Sequence, residues 1–111
     1  MEIKVGAHLL DLEGDPLLHP ETKQPWTVGM VLITVSLGTP PQGQTYTESE
    51  SVSRYMTAMD IRDALKKGNG QVVDIPPDML VKLKADVVRS FGPIVAGQMT
   101  PLLNGSPGRP N

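Results

Sequence analysis

The sequence predicts an α+β fold: a small antiparallel sheet, formed by an N-terminal hairpin and a short strand near residues 71–75, covered by three or four α-helices. Three observations predict it. Apolar residues alternate with polar ones at the N-terminus, three later segments carry helix start and stop signals, and 111 residues that are 39% apolar suffice for one modest core. Residues 1–105 therefore read as a single domain with a mobile connection at 38–46, and residues 106–111 as a disordered Pro/Gly tail.

At the N-terminus Ile3, Val5, Ala7 and Leu9 alternate with Glu2, Lys4, Gly6 and His8, the period of two of a half-buried strand. Glu13-Gly14-Asp15-Pro16 then supplies a tight turn, with Leu17 and Leu18 on the return. Residues 19–25 hold two prolines among polar side chains and read as a loop.

Residues 27–37 admit two readings. Their β-branched content suits a strand, whereas Thr27 as a cap and Val28, Val31, Leu32 and Val35 as a buried stripe suit a helix. Gly38 and Pro40-Pro41 stop either element, and the GTPPQGQTY stretch that ends at Tyr46 has almost nothing to bury.

Thr47-Glu48-Ser49-Glu50 fits a capping box, so a helix begins near Glu48 and ends at Gly68. Its apolar recurrence, Val52, Tyr55, Met56, Met59 and then Ala64 or Leu65, is read as the buried stripe, with Glu50/Arg54 and Asp63/Lys67 as ion pairs four residues apart. After a turn at Gly68-Asn69-Gly70, residues 71–75 form an extended piece able to pair with the first strand. Pro76-Pro77-Asp78 opens a helix to about Phe91, with Leu80, Leu83, Val87 and Phe91 as its stripe, Met79 and Val88 on the flanks and Asp86 elsewhere on the cylinder. Gly92-Pro93 separates it from a last short helix over 94–103 that contains Pro101.

Composition excludes several function classes. The absence of Cys removes disulfide, thiolate-metal and thiol chemistry and leans toward a reducing compartment. A net charge of −2 offers no field to draw nucleic acid or anionic lipid. The start of the chain lacks a signal-like apolar stretch, and the longest apolar run, residues 28–37, is interrupted and about half the roughly 20 residues of a membrane span. Neither export nor membrane insertion is expected.

Chemical constellations are equally sparse. Asp11, Glu13 and Asp15 alternate like the opening of a calcium loop, but no closing glutamate follows, and they read as a solvated turn. His8 and His19 could face each other across the hairpin, yet without a third ligand or an activated nucleophile they make neither a metal site nor a catalytic one; a hydrolase centred on His8, His19 and Asp11 is the enzymatic rival. The clusters Arg62, Lys66, Lys67 and Lys82, Lys84, Arg89 are interleaved with acids and read as solvated faces. No catalytic, cofactor-binding or metal-binding residue is assigned, and the chain is expected not to be an enzyme.

The residues suited to protein contact are Trp26, Tyr46, Met56 and Met59. Trp26 either staples onto Met30 or Val31 or stands out as an anchor, and the methionines Met56, Met59, Met79 and Met99 form either plain core or an adaptable surface. A soft aliphatic core of this size would gain from pairing with another chain, so a homo-oligomer or a protein partner is expected.

The order of elements resembles a family of small uncharacterised proteins of tailed bacteriophages and prophages. The resemblance rests on Glu13-Gly14-Asp15-Pro16-Leu17, on Thr27-Val28-Gly29-Met30-Val31-Leu32, on Val72-Val73-Asp74-Ile75 leading to Leu80-Val81-Lys82-Leu83-Lys84, and on Phe91-Gly92-Pro93-Ile94-Val95-Ala96-Gly97-Gln98. It spans residues 9–104; residues 38–46 and the Pro-rich tail depart from the pattern. It implies a helix over the ambiguous 28–37 segment and a phage context without a mechanism. That context, together with the absence of a chemical constellation, gives the expectation of a non-enzymatic accessory protein in the host cytoplasm that acts by protein contact, for instance on a host or defence component. The rival expectation is a virion assembly or minor structural protein of the head or tail, with the 38–46 connection and the tail as docking arms.

Overall fold

A computed structural model describes residues 2–19, 21–67 and 72–103. The predicted turn at 68–70 and the tail at 106–111 lie outside the described residues. The elements run β1 (Glu2–Lys4), α1 (Val28–Ser36), α2 (Glu48–Lys67), β2 (Val72–Asp74), α3 (Pro77–Ser90) and α4 (Pro93–Leu103), a small α+β architecture. β1 and β2 form a two-stranded antiparallel sheet with Ile3 opposite Val73, so both strands turn their central residue into the core.

The N-terminal alternation places Ile3, Val5 and Leu9 in the core and leaves Glu2, Lys4 and His8 outside. Regular strand pairing nevertheless stops at Lys4. The predicted hairpin is made of isolated bridges, Leu10 with Pro16 and Leu18 with Pro25, in place of two full strands. Two prolines in the pairing positions explain this, because each lacks the amide a longer ladder needs. Gly14, at φ 86°, closes the first of these turns, and the Asp11 carboxylate accepts from the amides of Glu13 and Asp15. Gln98 of α4 completes this corner: its side-chain amide accepts from Leu10 N–H at 2.8 Å and donates to Leu10 C=O, standing in for a neighbouring strand.

The segment with two readings is a helix. Thr27 Oγ1 accepts from the Met30 amide at 3.1 Å, and Val28, Val31, Leu32 and Val35 are all buried as the helical stripe requires. Gly29 sits at the tightest contact in the core. Its amide donates to Val5 C=O at 2.8 Å, and a Cβ there would lie 2.9 Å from that oxygen and 3.0 Å from side-chain carbons of Ile61 and Leu65. α1 thus approaches both the N-terminal segment and α2 as closely as a bare backbone allows.

The buried stripe of α2 differs from the expected one. Arg54, Ala58, Ile61 and Ala64 face the core, while Val52, Tyr55 and Met56 face outward. The helix carries apolar residues on two faces, and the sequence period is the same for either; the ion pair of Arg54 described below selects between them. The capping box is half made: Thr47 Oγ1 accepts from the Glu50 amide at 3.0 Å, but the Glu50 carboxylate turns to Arg54 and Lys82. Asp63 pairs with its neighbour Arg62 instead of Lys67. On α3 the stripe Leu80, Leu83 and Val87 holds, with Met79 beside it, but Asp86 is buried, Val88 is exposed and Phe91 is half-buried.

Gly29→Ala is expected to destabilise the fold by about 1–3 kcal/mol, because neither Val5 backbone nor Ile61 can yield freely. Gly97→Ala, in α4 with open space around it, is expected to be neutral or to stabilise by up to about 1 kcal/mol. Urea unfolding of the two variants beside the wild type measures both.

Candidate functional site: an ion-pair cluster beneath an exposed helix face

Arg54 lies 4% exposed between α1, α2 and α3. Its Nη1 donates to Asp86 Oδ2 at 2.8 Å and to Val35 C=O at 3.4 Å, and its Nε donates to Glu50 Oε2 at 3.0 Å. The Tyr46 ring covers the guanidinium, 4.2 Å from centroid to Cζ, so the end of the GTPPQGQTY connection is tied down on this charge. Asp86 uses its other oxygen for Arg89 at 2.8 Å, and Glu50 uses its other oxygen for Lys82 at 3.2 Å. Every carboxylate oxygen in the cluster has a cationic donor, the condition under which buried charges become tolerable.

Protonation follows from these contacts. Burial by itself pushes the Arg54 guanidinium down, but the hydrogen bonds to Asp86 and Glu50 outweigh it and the net shift is upward. Glu50 moves the other way: its hydrogen bond from Arg54, aided by Lys82 and opposed by partial burial, holds its carboxyl below the 4.5 of an unperturbed glutamate. A general acid or base works best with a pKa near ambient pH, and Glu50 is displaced away from it.

The four contact candidates separate. Trp26 is half-buried, its ring 4.9 Å from His19 and edge-on to Phe91 at 5.9 Å, while its backbone bonds to Leu9 and Leu17; it knits the N-terminal turns to the end of α3. Tyr46 caps Arg54. Met56 and Met59 share the outward face of α2, Met56 exposed and Met59 half-buried, while Met79 and Met99 are core. The methionines are therefore divided between surface and interior.

That outward face gathers several of the exposed apolar residues of the described structure. Val52, Tyr55 and Met56 are 57%, 55% and 54% exposed, and with Met59 they follow one another at steps of three, one and three residues. Val52 and Met56 also line a groove of about 600 Å³ together with Val73, Met79, Asp60 and Asp78.

The histidines are not brought to a common centre. His19 Nδ1 accepts from the amides of Glu21 and Thr22 at 3.1 and 3.3 Å, and His8 is exposed. Among the described residues no group of three or more His, Cys, Asp or Glu is placed to hold a metal ion, and no helix is long and apolar enough to cross a membrane. No protein family, curated protein or solved structure matches the chain.

Sequence reasoning found Glu50/Arg54 as a helical pair but missed Asp86 as its third member. The available signal was an acidic residue between Leu83 and Val87 on the same helical face.

Two outcomes test the cluster. Because Glu50 has a lowered pKa in the folded state, the unfolded chain binds more protons. Its contribution to stability is full above about pH 4.5 and is lost as pH falls through the lower folded value. In acid titrations followed by chemical denaturation, Glu50→Gln should flatten the stability profile below pH 4.5 relative to wild type. The Tyr46 hydroxyl is buried with no hydrogen-bond partner among the described residues. Tyr46→Phe should therefore be neutral or slightly stabilising, whereas Tyr46→Leu should cost about 0.5–2 kcal/mol by removing the ring from Arg54.

Proposed function

We propose that this chain works by protein–protein contact, as a phage accessory protein acting on a host or defence component in the host cytoplasm, and that the outward face of α2 is its docking surface. One observation carries the reading. An apolar stripe of exposed Val52, Tyr55 and Met56 with half-buried Met59 lies on a helix whose other face is already anchored in the core. Exposed apolar groups collected along one helix mark an interaction site far more often than isolated ones do. The side chains suit it: methionine reshapes to fit a partner, and tyrosine supplies a rigid contact area with a polar tip.

The ionisable residues support a binding role by what they already do. Asp11 caps its own turn, His19 caps the next, and Glu50 and Asp86 are held by cations. The phage setting rests on the resemblance of the four short motifs, and no cofactor enters the reading.

The test is affinity capture from bacterial host lysate with the wild-type chain and Met56→Glu as baits, read by quantitative mass spectrometry. A host protein enriched at least tenfold by wild type and lost with Met56→Glu supports the proposal. Recovery of phage morphogenesis proteins alone contradicts it in favour of virion assembly, and capture unchanged by Met56→Glu contradicts the assignment of the surface.

A further inference from the structure

We propose that Met56 is a peroxide-sensitive modification site, and that its conversion to methionine sulfoxide withdraws the α2 face from docking. The proposal rests on the reading of that face as a docking surface and adds its regulation.

The fold grades its thioethers by access. Met99 and Met79 are 0% and 8% exposed, Met30 and Met59 are half-buried, and Met56 is 54% exposed. A peroxide therefore reaches Met56 in the folded chain, whereas the core sulfurs are reached only when the interior opens. The chain contains no cysteine, so no thiolate within it takes the oxidant first. The step is a two-electron oxygen transfer with hydrogen peroxide as the oxidant. A lone pair on Met56 Sδ attacks one peroxide oxygen, and an S–O bond forms as the O–O bond breaks. The sulfur is oxidised, the peroxide is reduced, and the leaving hydroxide takes the proton of the transferred oxygen to become water. No side chain has to supply or remove a proton, so an accessible sulfur is all that the step requires.

Position turns this chemistry into a switch. Met56 stands within the apolar stripe, beside Tyr55, and lines the groove with Val52, Val73 and Met79. As a thioether it is apolar and adaptable; as a sulfoxide it carries a polar S–O group that accepts hydrogen bonds. In the free chain water solvates that oxygen, and the fold is kept. Against an apolar partner surface the same oxygen is buried without a donor, and the cost falls on the complex alone. Oxidation of Met79 or Met99 acts differently, since it places the polar group in the core and destabilises the fold itself. Modification at Met56 thus changes binding without changing structure, and methionine sulfoxide reductases reverse it by returning the thioether.

The test treats the full chain with hydrogen peroxide, removes the oxidant and follows each methionine by mass spectrometry of tryptic peptides, with fragmentation separating Met56 from Met59. Met56 should convert about tenfold faster than Met79 and Met99, and ahead of Met30 and Met59. Circular dichroism and urea unfolding of the Met56-oxidised chain should match those of the untreated chain. Affinity capture then uses dialysed host lysate, whose own reductases lack their reductant. Oxidation at Met56 should lower recovery of the host protein about tenfold, and treating the oxidised chain with both epimer-specific methionine sulfoxide reductases and dithiothreitol should restore it. Met56→Leu puts an aliphatic group of similar size where peroxide finds no sulfur. Its recovery, compared with its own untreated sample, should not respond to peroxide.

A Met56 that converts no faster than Met79 or Met99 overturns the modification site. Recovery that ignores Met56 oxidation, that the reductases fail to restore, or that falls equally with peroxide in Met56→Leu overturns the switch, as does loss of helix content when Met56 alone is converted. Failure here is separable from failure of the functional reading. Recovery lost with Met56→Glu but indifferent to the sulfoxide removes the regulation alone. An untreated chain that recovers no host protein removes the docking role together with its regulation, and leaves the modification site to be decided by the conversion rates.

Discussion

A guanidinium buried under a tyrosine ring, and held by two carboxylates from different helices, is the constraint on which the rest of this structure depends. Moving Arg54 out of water costs several kcal/mol unless its donors are satisfied, and Asp86, Glu50 and the carbonyl of Val35 satisfy them at 2.8–3.4 Å. Those partners belong to α3, α2 and α1. The rotation of α2 about its own axis is therefore not free. Any turn large enough to bury Val52 and Met56 would pull Arg54 away from Asp86 and strand two charges in an aliphatic interior. A small core made of Val, Leu, Ile and Met packs without strong directional preference, and one buried ion pair supplies the direction.

From that orientation the surface follows. Ala58 and Ala64, small enough for close helix approach, turn inward with Ile61, and α1 meets the helix at Gly29. Val52, Tyr55 and Met56 are left outside. The same helix thus has an inner face specified by charge and close packing and an outer face specified by nothing within the described fold. Protein contact is the use proposed for such a face. Several other ionisable groups go into structure: Asp11 accepts from the amides of its own turn, His19 accepts from two amides, and Glu50 and Asp86 are held by cations.

Much of the fold was legible because local rules were obeyed. Thr27 and Thr47 cap the helices they precede, the prolines open α3 and α4, and the alternation of residues 3–9 marks which side chains enter the core. The pairing of the strand near 72 with the N-terminus was likewise readable. The errors have physical causes. Periodicity reports that a helix has an apolar stripe but not which of two stripes is covered, so Val52 and Tyr55 read as part of the buried one and Met56 stood open between core and contact surface. A capping box shares its glutamate with any nearby cation, and Glu50 went to Arg54 and Lys82. Trp26 and Tyr46, both candidates for contact, are drawn inward by partners distant in sequence, Phe91 and Arg54, and no local pattern announces a stacking ring. Asp86 was hidden for the same reason: its partner lies 32 residues away.

The most direct test of the central claim is a double-mutant cycle on Arg54 and Asp86, with Arg54→Met, Asp86→Leu and the pair together followed by urea unfolding. Each single change leaves a buried charge without its partner and should cost about 3–5 kcal/mol, while the double change removes both charges and should cost less than either single change. Additive losses, with the double variant as unstable as the sum of the two singles, would show that the two side chains do not act as a unit. The rotation of α2, and with it the exposed face, would then need another cause.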